Sequence, residues 1–317
     1  MLFNILAGFN DGGNLLAAAS SGRIVGVRAA FVIIIAFVFV GPLIFGTAVA
    51  STIGTGIVNY AAIGAKPLLA GLVGALATVL LSYAARIPTS LSLALVSAMI
   101  GALLSGPGLA NVHWSGLRTV GLSMVLSVVG GFAAGAALYV VLRFALRPVT
   151  LQTGERLMRL QFLTVALQAL GYGANDAEKM MGLMAVAASL GTAAASGPLV
   201  VPLWAVALSV AAFAVGLIWG GVRIARAVGG KLFQIRPLHA MAFQSAAGTT
   251  VMIASFLGGP LSTTETTASA IIGAGAAANS RMLHWQAAAH IILAWVLTVP
   301  AGVLLGYAAG LVLQRIF

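Results

Sequence analysis

The sequence predicts an all-α polytopic membrane protein, built as two inverted-topology repeats with broken helices and re-entrant hairpins. Three observations predict this. Apolar stretches long enough to cross a bilayer recur from end to end. A short Asn-Asp motif occurs twice inside them. The basic residues place its two copies on segments that run in opposite directions.

The apolar stretches come first. The chain is 61% hydrophobic and 7% charged, against about a quarter charged in soluble domains. Residues 31–39, 120–142, 199–219 and 291–313 are almost purely aliphatic and aromatic. Runs of this kind suit helical spans and predict about ten crossings. They are continuous rather than alternating, which excludes a transmembrane β-barrel. The 39 glycines fit closely packed membrane helices. The net charge of +11 comes from Arg and Lys at segment ends, where loop charges set orientation, so it does not point to nucleic acid. The absence of cysteine excludes disulfides and thiolate metal sites. Residues 1–6 lack the basic stretch and long apolar core of a signal peptide.

The basic residues form three clusters: Arg23 with Arg28; Arg143, Arg147, Arg156 and Arg159; and Arg223, Arg226, Lys231 and Arg236. All three are expected on the cytoplasmic side. The first Asn-Asp segment then enters from outside and the second leaves from inside. Other landmarks recur in the same order. Asn10 and Asn175 are 165 residues apart, Ser90 and Ser262 are 172 apart, and Trp114 and Trp285 are 171 apart. The expected division is residues 1–147 as a first transmembrane repeat, 148–159 as a cytoplasmic interfacial linker, and 160–317 as a second, inverted repeat.

The motifs carry the chemistry. The first reads Gly8-Phe9-Asn10-Asp11-Gly12-Gly13-Asn14, and the second Gly173-Ala174-Asn175-Asp176-Ala177-Glu178-Lys179. They hold three of only five acidic residues, the others being Glu155 and Glu265. A carboxylate in an apolar setting needs a cation partner or a proton. Glycines around each motif suggest broken helices whose carbonyls join Asp11 and Asp176 around a hard cation such as Na⁺. The plainer alternative is a pair of helix-capping aspartates. Lys179, three residues after Asp176, either pairs with it or helps hold an anion.

The second element reads Pro88-Thr89-Ser90-Leu91-Ser92 in one half and Pro260-Leu261-Ser262-Thr263-Thr264-Glu265 in the other. Proline followed by hydroxyl residues marks a capped helix start with free N–H groups, which attracts anions. The apolar runs behind, 93–104 and 266–278, are shorter than a span and suit re-entrant half-helices. Ordinary Ser/Thr packing is the alternative for any single hydroxyl. A cation site beside an anion site describes a cation-coupled anion symporter. His113, His239, His284 and His290 lack ligand spacing and are expected to be structural. Trp114 and Trp285 are expected at the membrane interface. Asn279 and Arg281 fit the mouth of the second hairpin or a loop.

On these motifs the chain resembles the inorganic phosphate transporter (PiT) family. That family carries Gly-x-Asn-Asp-x-x-Asn signatures and Pro-x-Ser-Thr-Thr elements, and the resemblance covers nearly the whole chain. It implies symport of inorganic phosphate with Na⁺ or H⁺, no other cofactor, and a homodimer in the lipid of a plasma (bacterial inner) membrane. It implies phosphate binding by Ser90, Ser92, Asn175, Ser262, Thr263, Thr264 and Lys179. It implies cation coupling through Asn10, Asp11, Asn14, Asn175, Asp176 and Glu265, with Asp11 and Asp176 as Na⁺ ligands. Several positions depart from the pattern. The first hairpin has Ser90-Leu91-Ser92 in place of Ser-Thr-Thr. Leu93 and Glu265 replace neutral polar residues or His, Gln244 stands near a usual membrane acid, and Glu178 replaces Gln. The added acids favour proton coupling. A sulfate or other oxyanion permease of the same fold remains an alternative. So, from other classes, do an intramembrane aspartyl protease and a non-transport structural subunit.

Overall fold

The structure, a computed structural model, describes residues 1–21, 25–85, 87, 89–147, 159–190, 199–228 and 235–316. For Ser21, residues 223–228 and Met282 it describes the backbone alone. Arg23, Pro88, Lys231 and nearly all of the expected 148–159 linker lie outside this set.

The first Asn-Asp motif sits in α1 (Leu2–Ala7), a π-helical turn (Gly8–Gly12) and α2 (Gly13–Ser21). There follow α3 (Val27–Phe45), α4 (Ala48–Ser51), a second π turn (Thr52–Gly56), α5 (Tyr60–Ile63), α6 (Ala65–Ala84), α7 (Leu91–Leu104) and α8 (Trp114–Ala145). The second motif sits in α9 (Gln161–Tyr172), a π turn (Gly173–Ala177) and α10 (Glu178–Ser189). After it come α11 (Leu203–Val228), α12 (Pro237–Phe256), α13 (Thr263–Asn279) and α14 (Trp285–Ile316). Apart from α4 and α5 with their π turn, the order of elements in residues 2–145 recurs in 161–316. Both series end on a 32-residue helix that begins at a half-exposed tryptophan.

Five of these helices are long and apolar enough to span a bilayer by themselves: α3, α6, α8, α11 (over Leu203–Val222) and α14. Their outer faces are apolar as well. Trp219 is 78% exposed, Val32 69% and Leu122 62%. A soluble surface does not carry such side chains in continuous bands, so the chain is an integral membrane protein.

The helices cross by exchange between the two series. α3 packs on α9 and its π turn, while α11 packs on α1, the first π turn and α2. α7 packs along α14, and α13 along α8. Glycines set these crossings. A Cβ on Gly135 of α8 would lie 2.3 Å from the Ala270 carbonyl oxygen, and one on Gly306 of α14 would lie 2.1 Å from that of Ala98. Both glycines and both carbonyl residues are matched positions, 171 and 172 residues apart. Lipid tails are as apolar as leucine, so helices in a membrane gain by close van der Waals approach, and small residues permit it.

The glycines of the Asn-Asp motifs serve the same end. The expected breaks take the form of π turns, and the backbone stays helical through them, with Gly8 at φ −61°, ψ −39° and Gly173 at φ −60°, ψ −48°. A Cβ on Gly8 would fall 1.9 Å from the Phe213 carbonyl oxygen, and one on Gly173 2.2 Å from that of Val38. Close packing against α11 and α3 is therefore what excludes a side chain here.

Candidate functional site

The two short helices are capped as their sequences suggest. Ser90 precedes α7 and its hydroxyl accepts the Leu93 N–H at 3.3 Å; Ser262 precedes α13 and accepts the Glu265 N–H at 3.3 Å. Serine is a favoured cap because its oxygen satisfies an amide that the helix cannot. The turn into α13 is made by Gly258, at φ +72°. Its N–H reaches the Ser255 carbonyl at 2.9 Å, and the Gly259 N–H reaches that of Ala254 at 2.7 Å. This pair of bonds closes α12, and its left-handed residue is one that glycine adopts without strain. The chain is thereby turned so that α13 begins in the interior.

The two caps meet. Ser90 Oγ and Ser262 Oγ lie 2.8 Å apart, both nearly inaccessible. Two helix N-termini, each carrying partial positive charge, thus converge at one point. Ser127 on α8 accepts the Ser262 N–H at 2.9 Å and holds that end in place.

Both signature aspartates reach the same helix end. Thr263 Oγ1 donates to Asp176 Oδ2, and the adjacent Thr264 Oγ1 donates to Asp11 Oδ1. Asp11 also accepts from the Asn10 amide at 3.1 Å, and Tyr83 donates to Asn10 Oδ1 at 3.2 Å. Asp176 Oδ1 accepts from Lys179 Nζ at 2.8 Å. The same ammonium donates to Ser92 Oγ at 2.6 Å and to the Leu261 carbonyl at 2.5 Å. A narrow pocket opens beside these groups, lined by Asp11, Ser92, Asp176 and Lys179 with Phe3, Ala7, Leu91, Leu95 and Met180.

The other expected residues take different places. Asn175 turns its amide to Ser255 Oγ at 2.8 Å and the Gly259 carbonyl at 3.1 Å, so it braces the turn before α13. Its Oδ1 is buried without a hydrogen-bond partner. Glu265 is buried in the first turn of α13 with Oε1 unpartnered and the hydroxyls of Ser90 and Ser262 as its polar neighbours. Asn14 is half-buried and stands outside the pocket lining. Gln244 binds the Ala18 carbonyl at 2.7 Å and Thr164 at 2.5 Å, tying α12 to α2 and α9. Asn279 caps its own turn at the exposed end of α13.

Four contributors lie outside the sequence expectations: Ser127, Tyr83, Tyr172 and the capping role of Glu178. Tyr172 donates to the Thr263 carbonyl at 3.3 Å and shares a hydrogen bond with Thr267 Oγ1 at 3.0 Å, which steadies the first turn of α13. Its place directly before Gly173 was the available signal. Glu178 Oε2 accepts the Val49 and Ala50 N–H groups at 3.1 and 3.4 Å, capping α4 from across the chain.

The chain is similar over nearly its whole length to known proteins. The family model described as the phosphate transporter family matches residues 7–158 and 148–306. A probable low-affinity inorganic phosphate transporter of Rhizobium meliloti (strain 1021) is 33% identical over 317 residues, covering 98% of this chain and 95% of that protein. One of the same description from Bacillus subtilis (strain 168) is 31% identical over 323 residues, covering 100% and 96%. The fold resembles the solved structure of a sodium-dependent phosphate transporter, with a TM-score of 0.87 and 23% identity over 100% of this chain and 97% of that one. From its motifs, its fold and these matches, this chain belongs to the phosphate transporter family.

Proposed function

We propose that the chain is a secondary symporter that carries inorganic phosphate across a plasma (bacterial inner) membrane together with Na⁺ or H⁺, by alternating access between two oppositely oriented halves. One observation carries the reading. Neighbouring threonines at the start of α13 hold one signature aspartate each, at the point where the caps of α7 and α13 touch. Anion-attracting helix ends and cation-attracting carboxylates thus share a few residues.

In this reading phosphate enters from the pocket and parts the Ser90–Ser262 contact. Their hydroxyls, with those of Ser92, Thr263 and Thr264, turn to donate to its oxygens. Each hydroxyl can do so because it rotates freely between donor and acceptor roles. Asp11 takes the coupling cation, with Asn10 fixing its carboxylate, and Glu265 takes a cation or proton on its unpartnered oxygen. A buried carboxylate oxygen without a donor is stabilised by either. The recurring element order and the matched glycine crossings support the two-halves description.

The test is uptake of radiolabelled phosphate by proteoliposomes under an imposed Na⁺ or H⁺ gradient, with sulfate as competitor. Gradient-driven phosphate uptake, abolished in Asp11→Asn and resistant to sulfate, is the expected result. No phosphate uptake under either gradient overturns the reading, and uptake suppressed by equimolar sulfate transfers it to a broader oxyanion permease.

A further inference from the structure

Lys179 is the one buried Lys or Arg side chain among the described residues. An ammonium has three N–H donors and no acceptor, and all three are used: on Asp176 Oδ1 at 2.8 Å, Ser92 Oγ at 2.6 Å and the Leu261 carbonyl at 2.5 Å. The acceptors are a carboxylate, a hydroxyl and a main-chain carbonyl, brought from the Gly173–Ala177 π turn, from α7 and from the turn before α13. Oxygen ligands of these three kinds, converging from separate elements, are what a hard cation takes.

The other half has no counterpart. The matched position, three residues after Asp11, is the half-buried, neutral Asn14. Asp11 is served by Asn10 and Thr264, both uncharged. Among the described residues the only ion pair is that of Lys179 with Asp176.

We infer that Lys179 is a tethered cation filling the place a mobile coupling ion would otherwise take at Asp176, so that the exchangeable cation is taken only on the Asp11 side. The inference rests on the symport reading and deepens it. A covalently held ammonium balances Asp176 in every conformation but is never released across the membrane. It therefore contributes charge to the anion site without drawing energy from a gradient.

The test uses the purified full chain in detergent, melted without phosphate in NaCl and in equimolar choline chloride, alongside uptake measured against Na⁺ concentration. Lys179→Ala should gain a sodium response: NaCl should raise its Tm by more than it raises that of the unmodified chain. Its phosphate uptake, weak without Na⁺, should recover with a steeper dependence on Na⁺. A sodium response equal to that of the unmodified chain, with only a higher KM for phosphate, overturns the inference and makes Lys179 a plain anion ligand. Should Lys179→Ala fail to fold in both salts, Asp11→Asn decides. It should show no sodium-induced shift, and a remaining shift that disappears on adding Asp176→Asn overturns the inference. The melts do not depend on phosphate, so loss of the transport reading would show in uptake while the cation result stood separately.

Discussion

Gly173→Ala isolates the packing that positions the second aspartate. The added Cβ would sit 2.2 Å from the Val38 carbonyl oxygen, and the Val38 carbonyl carbon and Cα also fall within 3.0 Å of it. An ordinary contact begins at 3.4 Å, so the shortfall is about 1.2 Å, and rigid main chain rather than a flexible side-chain tip must yield. Overpacking of this kind costs about 1–3 kcal/mol. Either α3 moves away from the π turn, or the turn rotates and carries Asn175 and Asp176 with it, so phosphate uptake should fall together with stability. Gly121→Ala is the control. It lies in α8 with no atom within 4 Å of the added Cβ, and removing an interior helix glycine there should raise stability by about 0.5–1 kcal/mol. Thermal unfolding in detergent reads both, since each kcal/mol moves Tm by a few degrees. The pair should shift in opposite directions. An unchanged Tm in Gly173→Ala, or shifts of the same sign in both, would refute the close-packing account.

Three further outcomes follow from the hydrogen bonds. Glu178→Ala removes the acceptor for two buried amides of α4 and should cost about 1–3 kcal/mol; Glu178→Gln keeps an acceptor oxygen and should lose less, so equal falls in Tm would count against a capping role. Ser127→Ala leaves the Ser262 N–H without its acceptor, which should cost a similar amount, about 1–3 kcal/mol, and weaken phosphate uptake; a variant with unchanged Tm and uptake would contradict this. Thr264→Val and Thr263→Val are close in shape to threonine and each strips one donor from one aspartate. Thr264→Val should change the cation dependence of uptake more, because Asp176 keeps Lys179 while Asp11 keeps only Asn10; the reverse order would argue for exchangeable cation at Asp176.

Much of the site could be read from the sequence because scarcity made it visible. Asp11, Asp176 and Glu265 stand out in a chain with so few acids, and the matched hydroxyl clusters stand out beside prolines. Partners were harder to foresee. Glu178 is as conspicuous in sequence as Asp176, yet the amides it caps lie well over a hundred residues earlier. Ser127 looks like any serine in an apolar helix until α13 is laid against α8. Asn175 belongs to the most recognisable motif in its half and still spends its amide on bracing a turn.

Sequence alone determined the solvent of this protein, the number of its landmark motifs and the residue types they carry. Those follow from local properties: run length, charge scarcity, capping preference and the spacing of repeats. The tertiary structure decided which groups touch. It set both aspartates on adjacent threonines of one helix end, and it closed the two serine caps on each other. It also used up every donor of Lys179 on protein oxygens. The physical reason is that these contacts join residues far apart in the chain through glycine-lined crossings. Whether two such helices approach closely enough depends on the shape of both faces together, which no single stretch of sequence specifies.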